Sequence, residues 1–545
     1  MTPPATSTAR PRPSATHATW VFWPSLALLA LLAGAAIVFP DRTADAFGAI
    51  NDQVVGKLGW FYTLSVSGFV IFALWMAVSR FGDIVLSDDE EADADYPFLV
   101  WFGMLFAAGM GIGLVFWGVG EPLTFFTDPK PGVTGDEASL ARAAMAQVFL
   151  HWGFHPWAVY AVVGLAMAYA IHRRGRPVSI RWTLEPLFGN RVKGRFGDAI
   201  DVVAVIGTVA GVATSLGFGV QQITAGLVHL GVLDEATDGF RVGLIVAITA
   251  LATISVMTGL DKGIKILSNV NIGIAGIFLL AVLALGPTVF LLREFVQNIG
   301  GYLAEIIPLS FNTSAFSGED GASWQAAWTV FYWGWWISWA PFVGIFIARI
   351  SRGRTIREFI LGVMLVPVSV SLLWFSVLGG TAIYRQMAGT DLTDDGAVVP
   401  ENALFDLLGS LPAGTLLSGV AILLVTIFFI TSSDSGSLVV DMLASGGDQN
   451  PPMWSRVLWS VLEGAVAIGL LLAGGLGALQ TLAILTALPF CVVMIAMCVA
   501  TARLARGDLR EARRLDRLAR RRALEERLDD RIEQHVDQVL EDRLD

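Results

Sequence analysis

The sequence of residues 331–341 is FYWGWWISWAP, and it lies inside an apolar segment long enough to cross a membrane. Tryptophan in membrane helices normally lies at the two interfaces, where its N–H group reaches water. Trp336 and Trp339 are three residues apart, and Trp335 and Trp339 are four apart, so a helix places them along one side. Indole faces recognise quaternary ammonium groups well. The stretch therefore predicts a protein-lined cation site, with aromatic packing between helices as the alternative.

The composition around this stretch is that of a membrane protein. Of 545 residues, 54% are hydrophobic and 15% are charged, whereas soluble domains average about 25% charged. Mean hydropathy is +0.64. A spanning helix needs about 20 apolar residues, and twelve segments meet this requirement, which predicts an all-α polytopic membrane protein with twelve transmembrane helices. These spans, numbered one to twelve, lie near 20–40, 59–80, 97–118, 141–171, 197–229, 240–258, 266–292, 324–349, 357–384, 403–432, 455–474 and 479–503.

Arginine and lysine positions set the orientation of these spans. The loops after spans four, six, eight and twelve are basic, and the first of them carries seven arginines and lysines between Arg173 and Arg195. An opposite loop carries the acids between Asp391 and Asp395. This asymmetry predicts that both termini are cytoplasmic. Residues 1–19 are rich in Pro, Ser, Thr and Ala, which predicts a disordered N-terminal tail.

Span three contains AAGMGIGL at residues 107–114, with glycines at 109, 111 and 113. Each glycine costs about 1 kcal/mol of helix stability relative to alanine. Three of them predict a broken helix, which is tolerated at membrane depth only where the backbone faces protein or a water-filled cavity. The amide end of a half-helix can bind a carboxylate, and unwound carbonyls can bind sodium. Close packing of small residues is the alternative.

Span four contains HWGFHPWAVY at residues 151–160. Trp157 and Tyr160 share a face of an ideal helix, whereas Trp152 lies well away from Trp157. Pro156 is expected to distort the helix, and this distortion would let the rings converge. Together with the tryptophans of span eight, these rings can close a box around a methylated ammonium. For His151 and His155 the alternatives are a proton relay, and packing or hydrogen bonding to freed backbone.

Span ten ends in hydroxyl groups, with ITSSDSGS at residues 430–437. Thr431 and Ser432 can offer oxygens to sodium, a hard ion, or donate back to helix carbonyls. Asp434 is a functional candidate because it is ionisable near a membrane, and the alternative is that it caps a following segment from Ser435 to Gly446.

Hydroxyl groups also recur in span five, at Thr208, Thr214 and Ser215. Span five is the third helix counted from broken span three, and span ten is the third counted from span eight. Two five-helix units would each begin with an interrupted helix and place a hydroxyl-rich helix third. This pattern is typical of an inverted repeat with its site at the midplane.

These stretches resemble the betaine–carnitine–choline transporter (BCCT) family, and its sodium-coupled glycine betaine members most closely. The resemblance implies a LeuT-like five-plus-five inverted repeat, formed by residues 97–292 and 324–505, with two peripheral helices in residues 20–96. It also implies a homotrimer in the cell (inner) membrane. The matching stretches are AGMGIG at 108–113, HWG at 151–153, Trp157 with Tyr160, SNVN at 268–271, WWISWAPF at 335–342 and TSSDS at 431–435.

The resemblance implies site residues as well. Four aromatic residues would form the cation box: Trp152, Trp157, Tyr160 and Trp336. The backbone amides near Gly109, Met110 and Gly111 would meet the substrate carboxylate. The inward path would be lined by Trp335, Trp339, Phe331 and Phe346. One sodium ion would bind at Ala107, Met110, Phe428, Thr431 and Ser432, and a second at Thr208 and Phe342.

Three positions of the chain differ from the residues that particular groups within the family carry there. Val212 stands where sodium-coupled members carry a second threonine, so two-sodium stoichiometry is in doubt, although Thr214 is a candidate to compensate. Ile272 stands where sodium-independent carnitine exchangers have an arginine. Gly113 stands where proton-coupled choline members often have an aspartate, which favours a zwitterion with its own carboxylate.

The two remaining segments are amphipathic or charged. Residues 293–323 predict an outer interfacial helix and loop, with an ordinary loop as the alternative. Residues 506–545 predict a charged cytoplasmic helix, because apolar residues recur every four positions from Leu524 to Leu544. Its arginine-rich first half would bind anionic lipids. Regulation by osmotic stress is our hypothesis for this tail, and an inert helix or a coiled-coil contact is the alternative.

The sequence therefore predicts a sodium symporter that imports a quaternary-ammonium solute, most specifically glycine betaine, for osmoprotection. The coupling ion is sodium, and no cofactor or nucleic acid is expected. The alternatives are proton-coupled or exchange transport of choline, carnitine or ectoine, and a betaine sensor that does not transport. An enzyme is not predicted, because the sequence has no nucleophile–base set, metal cluster or phosphate loop.

Overall fold

The computed structural model describes residues 18–89, 91–109, 111–258 and 261–544, and within these ranges it contains helices and no β-strand. The helices through the first half of the chain are α1 Thr19–Val38, α2 Pro40–Val78, α3 Phe98–Gly109, α4 Ile112–Thr127, α5 Glu137–Trp152, α6 Phe154–Ala168, α7 Glu185–Phe188, α8 Arg195–His229, α9 Asp238–Thr258 and α10 Asp261–Leu285. Those that follow are α11 Thr288–Ser310, α12 Gly318–Gln325, α13 Phe331–Arg349, α14 Ile356–Met387, α15 Pro400–Gly409, α16 Gly414–Ala444 and α17 Met453–Leu544.

By length and composition, ten helical segments of the described chain are able to cross a membrane. Predicted span three consists of the two shorter helices α3 and α4. Predicted spans eleven and twelve both fall within α17, where Gly474 and Gly475 have non-helical backbone angles. The chain is thus a polytopic helical membrane protein, and the count of twelve stays a prediction.

The predicted break in span three is confirmed. Helix α3 ends at Gly109, Gly111 has extended backbone angles of φ −163° and ψ −180°, and α4 begins at Ile112. Met110, between them, lies outside the described residues. The matching prediction of an interrupted helix in span eight is wrong, because α12, a π-helical turn at Ala326–Val330 and α13 follow one another without a break.

Span four is interrupted at a glycine rather than at the predicted proline. Helix α5 ends at Trp152 and α6 begins at Phe154, so Pro156 stands in the first turn of α6, where proline is tolerated. A Cβ atom on Gly153 would lie 2.3 Å from the Phe149 carbonyl oxygen and 2.6 Å from the Tyr302 hydroxyl. The backbone folds into a space that only glycine fits, and the Tyr302 hydroxyl accepts the Phe154 N–H at 3.1 Å.

Span ten also differs from its predicted bounds. Residues 400–409 form the separate helix α15, and α16 begins at Gly414 after Ala413, which has a left-handed φ of 63°. Helix α16 then continues to Ala444. Asp434 therefore lies in the middle of a helix, and its predicted role as a cap of a following segment is wrong.

The helices predicted for the amphipathic segment and for the charged tail are both present. Helix α11 covers most of the predicted amphipathic segment, which excludes an ordinary loop for Thr288–Ser310. Helix α17 carries the charged tail as far as Leu544. Within the described side chains of the tail, Leu524, Leu528 and Ile532 are exposed. Of the predicted N-terminal tail, only residues 18 and 19 lie within the described ranges.

The start of the charged tail is fixed to the loop that follows α6. The Asp508 carboxylate accepts hydrogen bonds from the Tyr169 hydroxyl and from Arg173 Nε, both at 2.5 Å, and pairs with Arg174. Burial by itself would raise the pKa of Asp508, but these three donors together hold it below its ordinary value. The first turns of the tail are therefore attached to the helical bundle by charge.

Small residues allow the helices that carry the aromatic residues to approach closely. Helix α13 packs against α6 and α8. A Cβ atom on Gly344 would lie 2.6 Å from a Val163 methyl, and one on Gly164 would lie 2.6 Å from Ile347. Close contact through small residues is the usual way in which membrane helices pack, and here it brings the tryptophans of α13 against α6.

Candidate functional site

A cavity of about 600 Å³ lies between α4, α6, α13 and α16. It extends to Tyr96 and Arg349, which stand at the predicted cytoplasmic ends of their helices. Most of the predicted site residues line it: Ala107, Gly111, Trp152, Trp157, Tyr160, Trp335, Trp336, Trp339, Phe342, Phe346, Phe428, Thr431 and Ser432. Gly109 ends α3 beside the break, and Phe331 and Thr208 do not line the cavity.

The aromatic rings of the predicted box line the cavity and contact each other edge to face. The ring centroids of Trp152 and Trp336 are 4.9 Å apart at 74°, and those of Tyr160 and Trp336 are 6.4 Å apart at 79°. Trp157 stands at 80° to Tyr160, at 5.3 Å. These four side chains are between 4% and 7% exposed. Rings on the wall of a cavity can present their electron-rich faces to a desolvated cation.

Other rings support the box from behind. Trp335 stacks on Trp336 with centroids 4.6 Å apart and an interplanar angle of 16°. Phe331 stacks in turn on Trp335 at 5.6 Å and 14°. Phe331 is therefore a packing residue here and does not line the predicted inward path. A Cβ atom on Gly113 would stand 2.4 Å from Trp335 Cη2 and 3.1 Å from Trp152 Cη2, so a side chain at Gly113 would displace both rings.

Three indole N–H groups on the cavity wall, two of them in the box, have partners inside the protein. Trp336 Nε1 donates to the His151 carbonyl oxygen at 2.9 Å, beside the Gly153 break. Trp339 Nε1 donates to the Gly211 carbonyl oxygen at 2.8 Å. Trp152 Nε1 donates to Glu121 Oε2 at 2.7 Å. These bonds hold the rings in place and satisfy the polar atoms that tryptophan otherwise brings to the membrane interface.

Glu121 is a residue of this site that the sequence analysis missed. It is fully buried on α4, and its carboxylate accepts hydrogen bonds from Trp152 Nε1, from the Tyr332 hydroxyl at 2.5 Å and from His151 Nδ1 at 2.6 Å. The signal was available, because an acid within an apolar helix is a functional candidate. It was overlooked because the predicted span ended at residue 118, whereas α4 continues to Thr127.

The partners of His151 indicate its tautomer. Nδ1 faces the Glu121 carboxylate and so carries the proton, while Nε2 faces the Gln147 amide nitrogen and the Thr329 hydroxyl, each at 3.0 Å and each able to donate. His155 Nε2 bonds the Ser310 hydroxyl at 2.9 Å. The packing expected for these histidines is present, because His151 stacks on Tyr332 with centroids 4.5 Å apart and His155 stacks on Trp333 at 5.2 Å. Their ring hydrogen bonds go to side chains and not to freed backbone, and His155 Nδ1 has no partner in the described chain.

The residues predicted to bind the first sodium ion share one cavity. Ala107 stands on α3 beside the break, and Phe428, Thr431 and Ser432 stand on the facing helix α16. The Thr431 hydroxyl donates to the carbonyl oxygens of Ile427 at 2.9 Å and Phe428 at 3.2 Å. The back-donation expected as the alternative role of Thr431 is thus present, and it leaves the lone pairs of the hydroxyl oxygen free to face the cavity.

The second predicted sodium set is not brought together. Phe342 lines the cavity, but Thr208 is fully buried away from it and donates to the Ala204 carbonyl oxygen at 2.7 Å. Thr214, the candidate to compensate for Val212, donates to the carbonyl oxygens of Ala210 at 2.8 Å and Leu479 at 3.0 Å. In this conformation neither hydroxyl reaches the cavity.

Comparison with known proteins gives the family. The profile described as "BCCT, betaine/carnitine/choline family transporter" matches residues 20–510. An uncharacterized transporter of Mycobacterium tuberculosis is 50% identical over 501 residues, which cover 91% of this chain and 84% of that protein. Glycine betaine transporter 1 of Vibrio parahaemolyticus is 43% identical, over 88% of this chain and 92% of its own. Glycine betaine transporter OpuD of Bacillus subtilis is 40% identical, over 93% and 98%. The chain belongs to the betaine/carnitine/choline family of transporters.

Proposed function

We propose that this transporter imports glycine betaine by sodium symport and serves osmoprotection. The observation that carries the proposal is the box formed by Trp152, Trp157, Tyr160 and Trp336 on the wall of a cavity. A trimethylammonium group binds the faces of indole and phenol rings, and a desolvated contact of this kind contributes about 2 kcal/mol. The two relatives named glycine betaine transporters support the same solute.

The carboxylate of the solute would bind at the start of α4. Gly111 precedes this helix and lines the cavity, and no side chain caps the first amides of α4. A helix N-terminus with free amides and the positive end of its dipole attracts an anion. The ammonium would then lie in the box and the carboxylate at the helix end, which favours a zwitterion over choline.

Sodium would bind next to the solute, at Ala107, Phe428, Thr431 and Ser432. These residues bridge α3 and α16, so an ion between them would join the broken span to the hydroxyl-rich helix. The cavity extends to Tyr96 and Arg349, which supports an inward-facing conformation in an alternating-access cycle. We infer one sodium ion per cycle, since the second set has no shared cavity.

The finer architecture is part of the same proposal. Twelve transmembrane helices would form a five-plus-five inverted repeat with α1 and α2 at the periphery, in a homotrimer of the inner membrane with both termini in the cytoplasm. The nine arginines between Arg503 and Arg522 would hold the tail against anionic lipid, at about 1 kcal/mol for each arginine near the surface. The tail would then respond to ionic strength.

Uptake of radiolabelled glycine betaine into proteoliposomes tests the function. An inward sodium gradient is expected to drive accumulation, and replacing sodium by potassium should abolish it. Unlabelled betaine, choline, carnitine and ectoine as competitors rank the solutes. Uptake that persists in potassium would contradict sodium coupling, and binding to purified protein without any uptake would mean that the chain is a sensor.

A further inference from the structure

Glu463 is a buried acid outside the cavity just described. It lies on α17 before the break at Gly474, it is fully buried, and neither of its carboxylate oxygens has a hydrogen-bond partner in the described chain. Buried polar groups are almost always paired. An unpaired carboxyl group at this depth therefore requires a ligand or a proton.

One side of the Glu463 carboxyl group borders Gly436. The position that a Cβ atom on Gly436 would occupy is 3.6 Å from Glu463 Oε1 and 2.9 Å from a Val212 methyl. The carboxyl group thus lies where α8, α16 and α17 meet, beside methyl groups and a residue without a side chain. An ionised carboxylate is strongly disfavoured in such a place unless a cation pairs with it.

A positive charge to balance an ionised Glu463 is also missing. Within the described chain neither oxygen of Glu463 has a hydrogen-bond partner, cationic side chains included. Val212, the contact from α8 at Gly436, does not titrate. On α16 the titratable residue nearest in sequence to Gly436 is Asp434, which is an acid.

A proton suits this position better than a metal ion. Sodium is a hard ion that requires several oxygen ligands, whereas Gly436 beside Glu463 Oε1 has no side-chain oxygen and Val212 next to Gly436 brings only methyl groups. We propose that Glu463 is a proton-binding site of the transporter, occupied in the conformation described here. The inference does not depend on which solute is carried.

Infrared spectroscopy of the purified full-length protein tests this site directly. A protonated carboxyl group has a C=O stretching band that a carboxylate lacks, and the difference between wild type and Glu463→Gln isolates the contribution of Glu463. We expect a carboxylic-acid band at neutral pH that disappears in Glu463→Gln and is retained in the control Asp434→Asn. A difference spectrum without this band would overturn the proposal. So would a band that sodium chloride removes at constant pH while potassium chloride does not, since it would assign the site to sodium.

Thermal unfolding provides a second measurement that does not rely on the glutamine variant. Glu463→Leu removes the titrating group and keeps an apolar side chain in apolar surroundings. The melting temperature of the wild type should fall on alkaline titration more steeply than that of Glu463→Leu. Parallel curves would contradict a proton on Glu463. Because neither measurement involves transport, a failure of betaine uptake leaves both results interpretable.

Discussion

The bond between Glu121 and Trp152 gives the sharpest test of how the aromatic box is held. Trp152 Nε1 and the Tyr332 hydroxyl both donate to Glu121 Oε2, at 2.7 Å and 2.5 Å, and His151 donates to Oε1. Glu121→Gln preserves the size of the side chain but leaves one acceptor oxygen where there were two. Either His151 or the pair of Trp152 and Tyr332 then loses its acceptor.

The size of the effect follows from the bond that orients the box. A hydrogen bond to a charged group contributes about 1.5–3 kcal/mol. Loss of about 1.5 kcal/mol at the Trp152 hydrogen bond should weaken betaine binding about tenfold, because 1.4 kcal/mol corresponds to a factor of ten. Tyr332→Phe is the matched control, since it removes one donor from the same oxygen and leaves the Trp152 bond in place. Its effect on betaine binding should be clearly smaller than that of Glu121→Gln.

Betaine binding to purified protein at saturating sodium, measured by calorimetry or by tryptophan fluorescence, checks both expectations. The melting temperature of each variant shows whether the fold is intact. If Glu121→Gln bound betaine as the wild type does, the hydrogen bond would not orient the box. If Tyr332→Phe weakened betaine binding as much as Glu121→Gln, the box would depend on all the hydrogen bonds to Glu121 together and not on the Trp152 bond in particular.

Three further predictions concern the box, the tail and the outer side of the cavity. Trp336→Leu removes a desolvated cation contact of about 2 kcal/mol and should raise the betaine Kd roughly 30-fold in the same binding assay, whereas Trp333→Leu, off the cavity, should leave it unchanged. Asp508→Asn should speed hydrogen exchange at the start of the tail. In the wild type the anchoring of the tail by Asp508 should be fully present above the unfolded pKa of about 4 and should be lost as pH falls through the lower folded pKa of Asp508. Hydrogen exchange that responds neither to Asp508→Asn nor to acid would contradict this anchoring. Spin labels on α4 and α13 should keep their separation when sodium and betaine are added, and a change of several ångströms would refute joint movement of the two helices.

Sequence patterns located helices well and local breaks less well. Apolar length predicts most spans, and the three glycines of residues 107–114 predict the interruption before α4. The break at Gly153 was assigned to Pro156, because proline is the stronger local signal. What fixes that break is the space beside the Tyr302 hydroxyl, 149 positions further along the chain, and a local pattern contains no information about it.

The candidate site was also predicted only in part from the sequence. Motif similarity placed most ring and hydroxyl positions on one cavity, but the partners that hold them are distant in sequence. Glu121 is 31 residues from Trp152 and 211 from Tyr332. Phe331 is next to Tyr332 in the chain, yet it packs behind Trp335 and not on the cavity, because the orientation of a ring depends on its neighbours in three dimensions.

The Glu121 network also constrains how the cavity can open. It connects α4, α5 and α13 on the side of Trp336 that faces away from Arg349, which is the predicted outer side. Breaking its three bonds would require about 4.5–9 kcal/mol at 1.5–3 kcal/mol each. The cation contact in the box contributes about 2 kcal/mol, and a ligand shifts a conformational equilibrium only by its differential affinity for the two states. The cation contact alone therefore does not offset the cost of an outward opening that breaks this network. We expect the three helix segments to move as one body, with Trp152 and Trp336 carried together, so that the box stays assembled while other helices open the path to it.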